Sequence, residues 1–322
     1  MATITDVSLL ANVSKATVSR VLSGSRGVRE ESRQAVLQAA RALNYVPNVH
    51  AQNLATQENP YIGVVVAMSE MAAMQSYLPQ LSYRLSDMNM RMLLQYVDNA
   101  AMQQSVLDDL STQCQAVIVL GPLVDTSGYS NVLLLDKVAE QTELSVGIDY
   151  QFATQTACNY LLGQGHRQIA LFTDEQDGQA TAYSKHMITG YQAALENRAM
   201  PVNRQLMLGV SDDFEASCLS LLNRYTQFSA MIVTRVQDAA IAMRVLRDFN
   251  LYVPQDVSII CLEDSPLASQ LIPQLTCIHH STESLVDACM LRIRQLLGQK
   301  TQVADPVIQG RLICRESVQK NS

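Results

Sequence analysis

No stretch of the chain approaches the roughly 18 consecutive apolar residues that a membrane-spanning helix needs, and that argues against a helical membrane protein. The opening MATITDVSLL has no basic start ahead of a long apolar run, so no secretory leader is expected. Paired cysteines are missing too. Cys114, Cys158, Cys218, Cys261, Cys277, Cys289 and Cys314 stand singly, and none falls in a C-x-x-C unit. An odd, scattered set reads as small buried hydrophobes in a reducing cytoplasm rather than as metal or redox chemistry. Nor does any Ser-His-Asp order or pair of catalytic carboxylates stand out, so no enzyme is expected. Gly163-Gln164-Gly165 lies after a helical stretch and before a strand, the reverse of a dinucleotide-binding glycine turn, and reads as a helix end. His279-His280 reads as polar connecting backbone rather than a metal pair.

What is present is a globular composition, 48% hydrophobic and 16% charged, over 322 residues, a length that suits two or three domains. The net charge of −7 hides an asymmetry. Residues 1–57 carry six basic side chains (Lys15, Arg20, Arg26, Arg29, Arg33, Arg41) against Asp6, Glu30 and Glu31, so the head is +3 and the remainder −10. A basic head on an acidic body lets the head approach phosphates while the body is held off them.

Apolar spacing in the head predicts three short helices. Thr5 is placed to cap the first, from about Asp6 to Ala11, with Ile4, Val7 and Leu10 on one face and Asn12 at the turn. Ser14 caps the second, SKATVSRVL, whose Val18, Val21 and Leu22 point inward. The third runs from about Arg29 to Leu43 with Val36, Leu37, Ala40 and Leu43 at core spacing, and Asn44 ends it. This arrangement puts Lys15, Ala16, Ser19 and Arg20 on the outer face of the second helix. Lys and Arg can donate to guanine there, a methyl can meet thymine, and the Ser14 and Thr17 hydroxyls suit phosphates.

VSKATVSRVL followed by NYVPNVHAQNLA closely resembles the head and hinge of the lactose-repressor/galactose-repressor family of bacterial transcriptional regulators. The match is dense over residues 4–55 and looser through the rest of the chain. It implies that Lys15, Ala16 and Arg20 read bases while Ser14, Thr17, Ser19, Tyr45 and Asn48 position the DNA backbone. In the hinge it places Ala51 and Gln52, the latter where an arginine is common, and Leu54 where relatives insert a leucine wedge into the minor groove. Pro47-Asn48 opens a hinge helix of about two turns. So short a helix is unstable alone in water and orders only when something packs on it.

From Tyr61 on, short β-branched runs alternate with helical stretches. The expected strands are 62–67, 90–96, 116–120, 132–136, 168–172, 230–234 and 257–261, with Leu78, Leu81, Leu85 and Met88 in register on one intervening helix. Fully apolar strands alternating with helices predict parallel sheets covered on both faces. The resemblance completes the expected architecture: an α/β chain with a three-helix helix-turn-helix head (1–46), a hinge helix and linker (47–59), and a periplasmic-binding-protein-like core of two parallel-sheet lobes (60–322). Lobe 1 takes about 60–148 and 279–306, and lobe 2 about 149–278 and 307–322. One departure is visible, because only Gly121–Asn131 separates two strands where the family has a helix, and a parallel crossover usually needs about a dozen residues or more.

Ligands bind at the carboxyl ends of strands in such sheets. The resemblance places the effector positions at Ala67, Met74, Asp136, Met187, Arg235 and Glu263. The family's stacking aromatic and pocket arginine are replaced here by Met74 and Met187. Arg235 has two readings, a partner for an anionic ligand such as a sugar phosphate or an internal bridge to Glu263, and a repositioned neutral-sugar site is a third. The function implied is a cytoplasmic homodimer on a pseudo-palindromic operator in double-stranded DNA, with no cofactor and with a carbohydrate-type small-molecule effector. An effector-insensitive regulator or an activator stays open. No heptad tail is present to build a tetramer.

Overall fold

Thr3 and Asp6 set where the chain first becomes helical. In the computed structural model, which describes residues 3–22, 28–45, 59–68, 76–121, 126, 128–136, 144–176, 178–211, 213–224, 227–300 and 307–321, the Thr3 hydroxyl accepts from the Asp6 amide. The Asp6 carboxylate in turn accepts from the Thr3 amide at 2.8 Å. This reciprocal box starts α1 (Ile4–Leu10), two residues earlier than a cap at Thr5 would. Asn12 turns the chain at φ 51°, in the left-handed region that Asn tolerates, and α2 (Lys15–Leu22) follows. The third helix, α3 (Glu30–Ala42), ends with Asn44 at φ 46°. Val7, Val18, Val21, Val36, Ala39 and Ala40 form the head's core, with Ile4, Leu22, Leu43 and Tyr45 packed against it. Leu10 and Leu37, expected inside, are exposed instead. Val36, Ala39, Ala40 and Leu43 follow the i, i+3, i+4, i+7 spacing of one helix face, which turns Leu37 away from the core.

The chain divides into two compact units at Pro60. The second begins with a sheet of six strands, all parallel: β1 (Tyr61–Ala67), β2 (Arg91–Val97), β3 (Ala116–Leu120), β4 (Val132–Asp136), β5 (Ser145–Ile148) and β12 (Val307–Ile308), in the order β12-β5-β4-β3-β1-β2. Along β1 the side chains alternate. Ile62, Val64 and Val66 join the cluster containing Leu81 and Leu85 of α4 (Tyr77–Asp87), and Val65 and Ala67 join Leu107 and Leu110 of α5 (Ala100–Gln113). Burial on both faces is why the strand reads as an unbroken apolar run.

The short Gly121–Asn131 link still joins β3 and β4 as parallel neighbours, with Val117 opposite Val132. Its Tyr129 packs onto the α5 cluster, accepts a hydrogen bond from Gln104 and donates one to Asp108. Asn131 donates to the Ser111 carbonyl at 2.9 Å. Side chains of the link, anchored to α5, thus help cover the face left without the family's crossover helix.

The second sheet runs β13-β11-β10-β9-β6. Its members are β6 (Ile169–Gln176), β9 (Ala230–Val233), β10 (Ser258–Cys261), β11 (Thr276–His279) and the antiparallel β13 (Arg311–Ile313). β8 (Met207–Val210) pairs with β6 in parallel, and β7 (Gln179–Ala180) folds back on the end of β6 as a hairpin. One face packs on α6 (Tyr150–Gly163) and α7 (Ala182–Glu196), the other on α8 (Phe214–Asn223) and α9 (Val236–Asp248). Gly190 lets α6 and α7 approach closely, since a Cβ there would lie 2.1 Å from the Gln151 carbonyl oxygen. The last helix, α10 (Thr282–Leu296), covers the first sheet through Leu285, Val286 and Ile293.

Two expectations are corrected. Val307–Ile308 lies in the first sheet, not with the second lobe, because these residues extend β5 in parallel and the chain returns only after Gln309-Gly310. Cys314 is exposed, unlike the other six cysteines.

Candidate nucleic-acid interface and effector site

Ser14 opens α2. Its hydroxyl accepts the Thr17 amide at 3.1 Å and lies 2.9 Å from the Thr17 hydroxyl, which satisfies a donor at the helix start. Val18 and Val21 commit one face of α2 to the head core. The helical period then turns Lys15, Ala16, Ser19 and Arg20 to solvent, with Thr17 half-buried beside them. No acidic residue lies on α2, so its amino-terminal dipole and both cations act on an approaching anion with one sign. Tyr45 sits half-buried at the edge of the core. Asn48, Ala51, Gln52 and Leu54 lie outside the described residues.

In the body, Arg235 follows β9 and Thr234 and stands at the start of α9. Its Nε donates to the Asp238 carboxylate at 2.9 Å, and Asp238 is nearly buried. One partner of this guanidinium is therefore a carboxylate one turn along its own helix. Met187 is buried on α7 with its sulfur 4.0 Å from the Thr234 hydroxyl, which brings Met187 and the Arg235 segment together. Glu263 is half-buried just beyond β10. Ala67 ends β1 and Asp136 ends β4, strands of the first sheet separated by β3. Met74 and the side chain of Asp136 lie outside what is described.

Residues not singled out from sequence gather at the same sheet end and the connections beside it. Asp174, on β6, accepts the Tyr183 hydroxyl, and the Tyr183 ring lies 5.3 Å from that of Tyr150. Asp264 accepts from His279 Nδ1 at 3.1 Å and from Arg315 at 3.0 Å. Asp149 caps α6 through the Phe152 amide. Asp149, ahead of a helical run, carried a readable capping signal. Asp174 and Tyr183 did not, because only the β6–β7 hairpin brings them together.

Burial holds His280 down to about 4 and also lowers His166, so both imidazoles are neutral near pH 7. Burial pushes the Cys158 and Cys289 thiols up to about 12, away from nucleophilic thiolate. Among the described residues no group of three or more His, Cys, Asp or Glu is placed to hold a metal, and no helix is long and apolar enough to cross a membrane.

A small helical head presenting a cationic helix, ahead of a body of two parallel-sheet lobes, defines a helix-turn-helix DNA-binding regulator with a periplasmic-binding-like core. Comparison with known proteins agrees. Residues 3–48 match the family described as bacterial regulatory proteins, lacI family, and residues 158–318 match the periplasmic binding protein-like domain. The HTH-type transcriptional regulator AscG of Escherichia coli K12 is 26% identical over 336 residues, covering 99% of this chain and 98% of its own. GalR of the same strain is 28% identical over 328 residues, covering 96% and 94%. The solved lac repressor dimer bound to operator and the anti-inducer ONPF superposes with a TM-score of 0.85 at 24% identity, covering 99% of each chain, a likeness of fold. The chain belongs to the lactose-repressor/galactose-repressor family of bacterial transcriptional regulators.

Proposed function

We propose that the chain is a cytoplasmic repressor that binds a pseudo-palindromic operator as a homodimer and acts by binding rather than turnover. The observation that carries this reading is the Ser14-capped α2. Its inward face is fixed by Val18 and Val21, and its outward face offers Lys15, Ala16, Ser19 and Arg20. Lys15, Ala16 and Arg20 read base edges, while Ser14, Thr17, Ser19, Tyr45 and Asn48 hold phosphates. Residues 47–59 form the hinge, in which Ala51, Gln52 and Leu54 enter the minor groove of the kinked centre. Two-fold DNA sites call for a two-fold protein. Exposed apolar side chains such as Tyr83 on α4 and Ile272, 86% exposed, are surface that a second copy would cover.

The effector in this proposal is a sugar or sugar derivative contacted by Ala67, Met74, Asp136, Met187, Arg235 and Glu263. With Asp238 already on Arg235, an anionic effector has to compete with a carboxylate for that guanidinium, which favours an uncharged ligand. Binding shifts operator affinity only as far as the effector discriminates between two arrangements of the body.

Selection of genomic DNA fragments on the purified chain tests the proposal. Enrichment of one palindrome is expected, with retention weakened or strengthened by an uncharged sugar. Fragments retained without any common sequence would overturn it.

A further inference from the structure

Three connections join the two sheets: Ile148–Tyr150 between β5 and α6, His279–Thr282 between β11 and α10, and Ile308–Arg311 between β12 and β13. They are laced together. The Asp149 amide donates to the Ile308 carbonyl at 3.0 Å, and Gln309 donates to the Asp149 carboxylate at 3.4 Å. His280 sits inside this bundle, 8% exposed, with its ring centre 6.4 Å from that of Tyr150.

The His280 bonding pattern is lopsided. Nε2 lies 3.1 Å from the Leu262 carbonyl oxygen, which can only accept, so Nε2 carries the proton. In the neutral ring Nδ1 is then a bare acceptor, and it has no hydrogen-bond partner among the described residues. What faces that edge is Gly310. A Cβ on Gly310 would lie 2.5 Å from His280 Cε1 and 2.7 Å from Nδ1, and 2.4 Å from Cγ2 of Ile278. The backbone of one connection is flush against the imidazole edge of another at a place where only glycine fits.

We infer that His280 and Gly310 form the pivot of the body: the two lobes reorient by sliding the Gln309–Arg311 connection across the imidazole edge, and the slide opens Nδ1 to the donor it lacks here. A buried acceptor left unpaired disfavours the arrangement that leaves it so. The pair therefore weights the balance between the two arrangements toward the second. The regulatory use of the pivot rests on the proposed effector response, but the pivot itself can be tested with neither effector nor operator.

The experiment uses the full chain, with ¹⁵N-labelled histidine and amide hydrogen exchange at Asp149, on the wild type, Gly310→Ala and Gly310→Ala with His280→Ser. In the wild type the His280 Nδ1 resonance is expected at the position of an unbonded acceptor. Gly310→Ala is expected to speed Asp149 exchange roughly tenfold or more by local opening and to move Nδ1 to a hydrogen-bonded position. Adding His280→Ser removes one of the two obstructing side chains and should recover part of the protection. If Gly310→Ala does not fold, recovery of folding in the double variant is the supporting result. The inference fails if wild-type Nδ1 is bonded or protonated at neutral pH, if Gly310→Ala exchanges like the wild type, or if the double variant recovers nothing. A failure on those readouts would leave operator selection by the head untouched, so the two proposals fall separately.

Discussion

Truncating Val18 to alanine separates the head's stability from its surface chemistry. Val18 is fully buried in the head core and does not share the outward face of α2. Removing two methyl groups costs roughly 0.8 kcal/mol each in transfer, and the cavity left behind raises the total to about 2–3 kcal/mol. A unit of this size has about 2–7 kcal/mol to lose, and a core built from four valines and two alanines belongs at the low end. The variant head is then folded only part of the time at 25 °C, and a ligand pays for binding a partly populated state in proportion to that fraction. On the proposed two-fold operator, which engages two heads, the loss is squared, giving a fall of about 2- to 40-fold. Calorimetry of the full chain and a gel-shift titration are the assays. Because the chain divides into two units at Pro60, the head transition should drop while the body transition stays in place. Unchanged operator affinity, or a body transition that moves with the head, would refute this reasoning.

Other consequences are equally open to measurement. Lys15→Ala and Arg20→Ala should each weaken operator binding, and one that contacts phosphate should reduce the slope of log affinity against log salt by about 1. His280 has an ordinary value of 6.5 and a folded value of about 4, so the unfolded chain binds the extra proton between those limits. That stability is present above pH 6.5 and is lost as pH falls toward 4, by about 3 kcal/mol, and His280→Gln should flatten this part of a urea-denaturation profile of the body. Asp6 is held below its ordinary 3.8 by the Thr3 amide, so the support it gives α1 is present above that value and should fade as acid protonates it, followed by circular dichroism of the head. Gly190→Ala should destabilise the body by more than about 1–3 kcal/mol, because its Cβ meets helix backbone that cannot step aside.

Length and composition of each segment decided how much was legible beforehand. β3 and β4 were found to the residue because β3 is a short apolar run between turns and β4 is one closed by Asp136. β5, β8 and β11, each four residues with a Gly or His breaking the apolar run, emerged only from their pairing. β6 outran its apolar stretch because Thr173 and Asp174 pair with β8 and Glu175 and Gln176 with β7. α1 was misplaced because Thr3 and Thr5 are equally good caps until Asp6 is seen to answer Thr3.

The outward positions of α2 were readable because three residues of core spacing fix the whole face of a helix. Arg235 and Asp238 were also within reach, being three apart at a helix start. The arrangement of His280, Gly310 and Asp149 was not, since each comes from a different connection and nothing local ties them together.

The central claim is that the outward face of α2 reads sequence. Its most direct test is the affinity of the full-length chain for its selected palindrome against a scrambled duplex of the same composition, at about 150 mM salt, where nonspecific phosphate binding is weak. The account predicts a preference of about 10³-fold or more, largely lost when Lys15, Ala16 and Arg20 are replaced together. Equal affinity for the two duplexes, or a preference that survives that replacement, would contradict it.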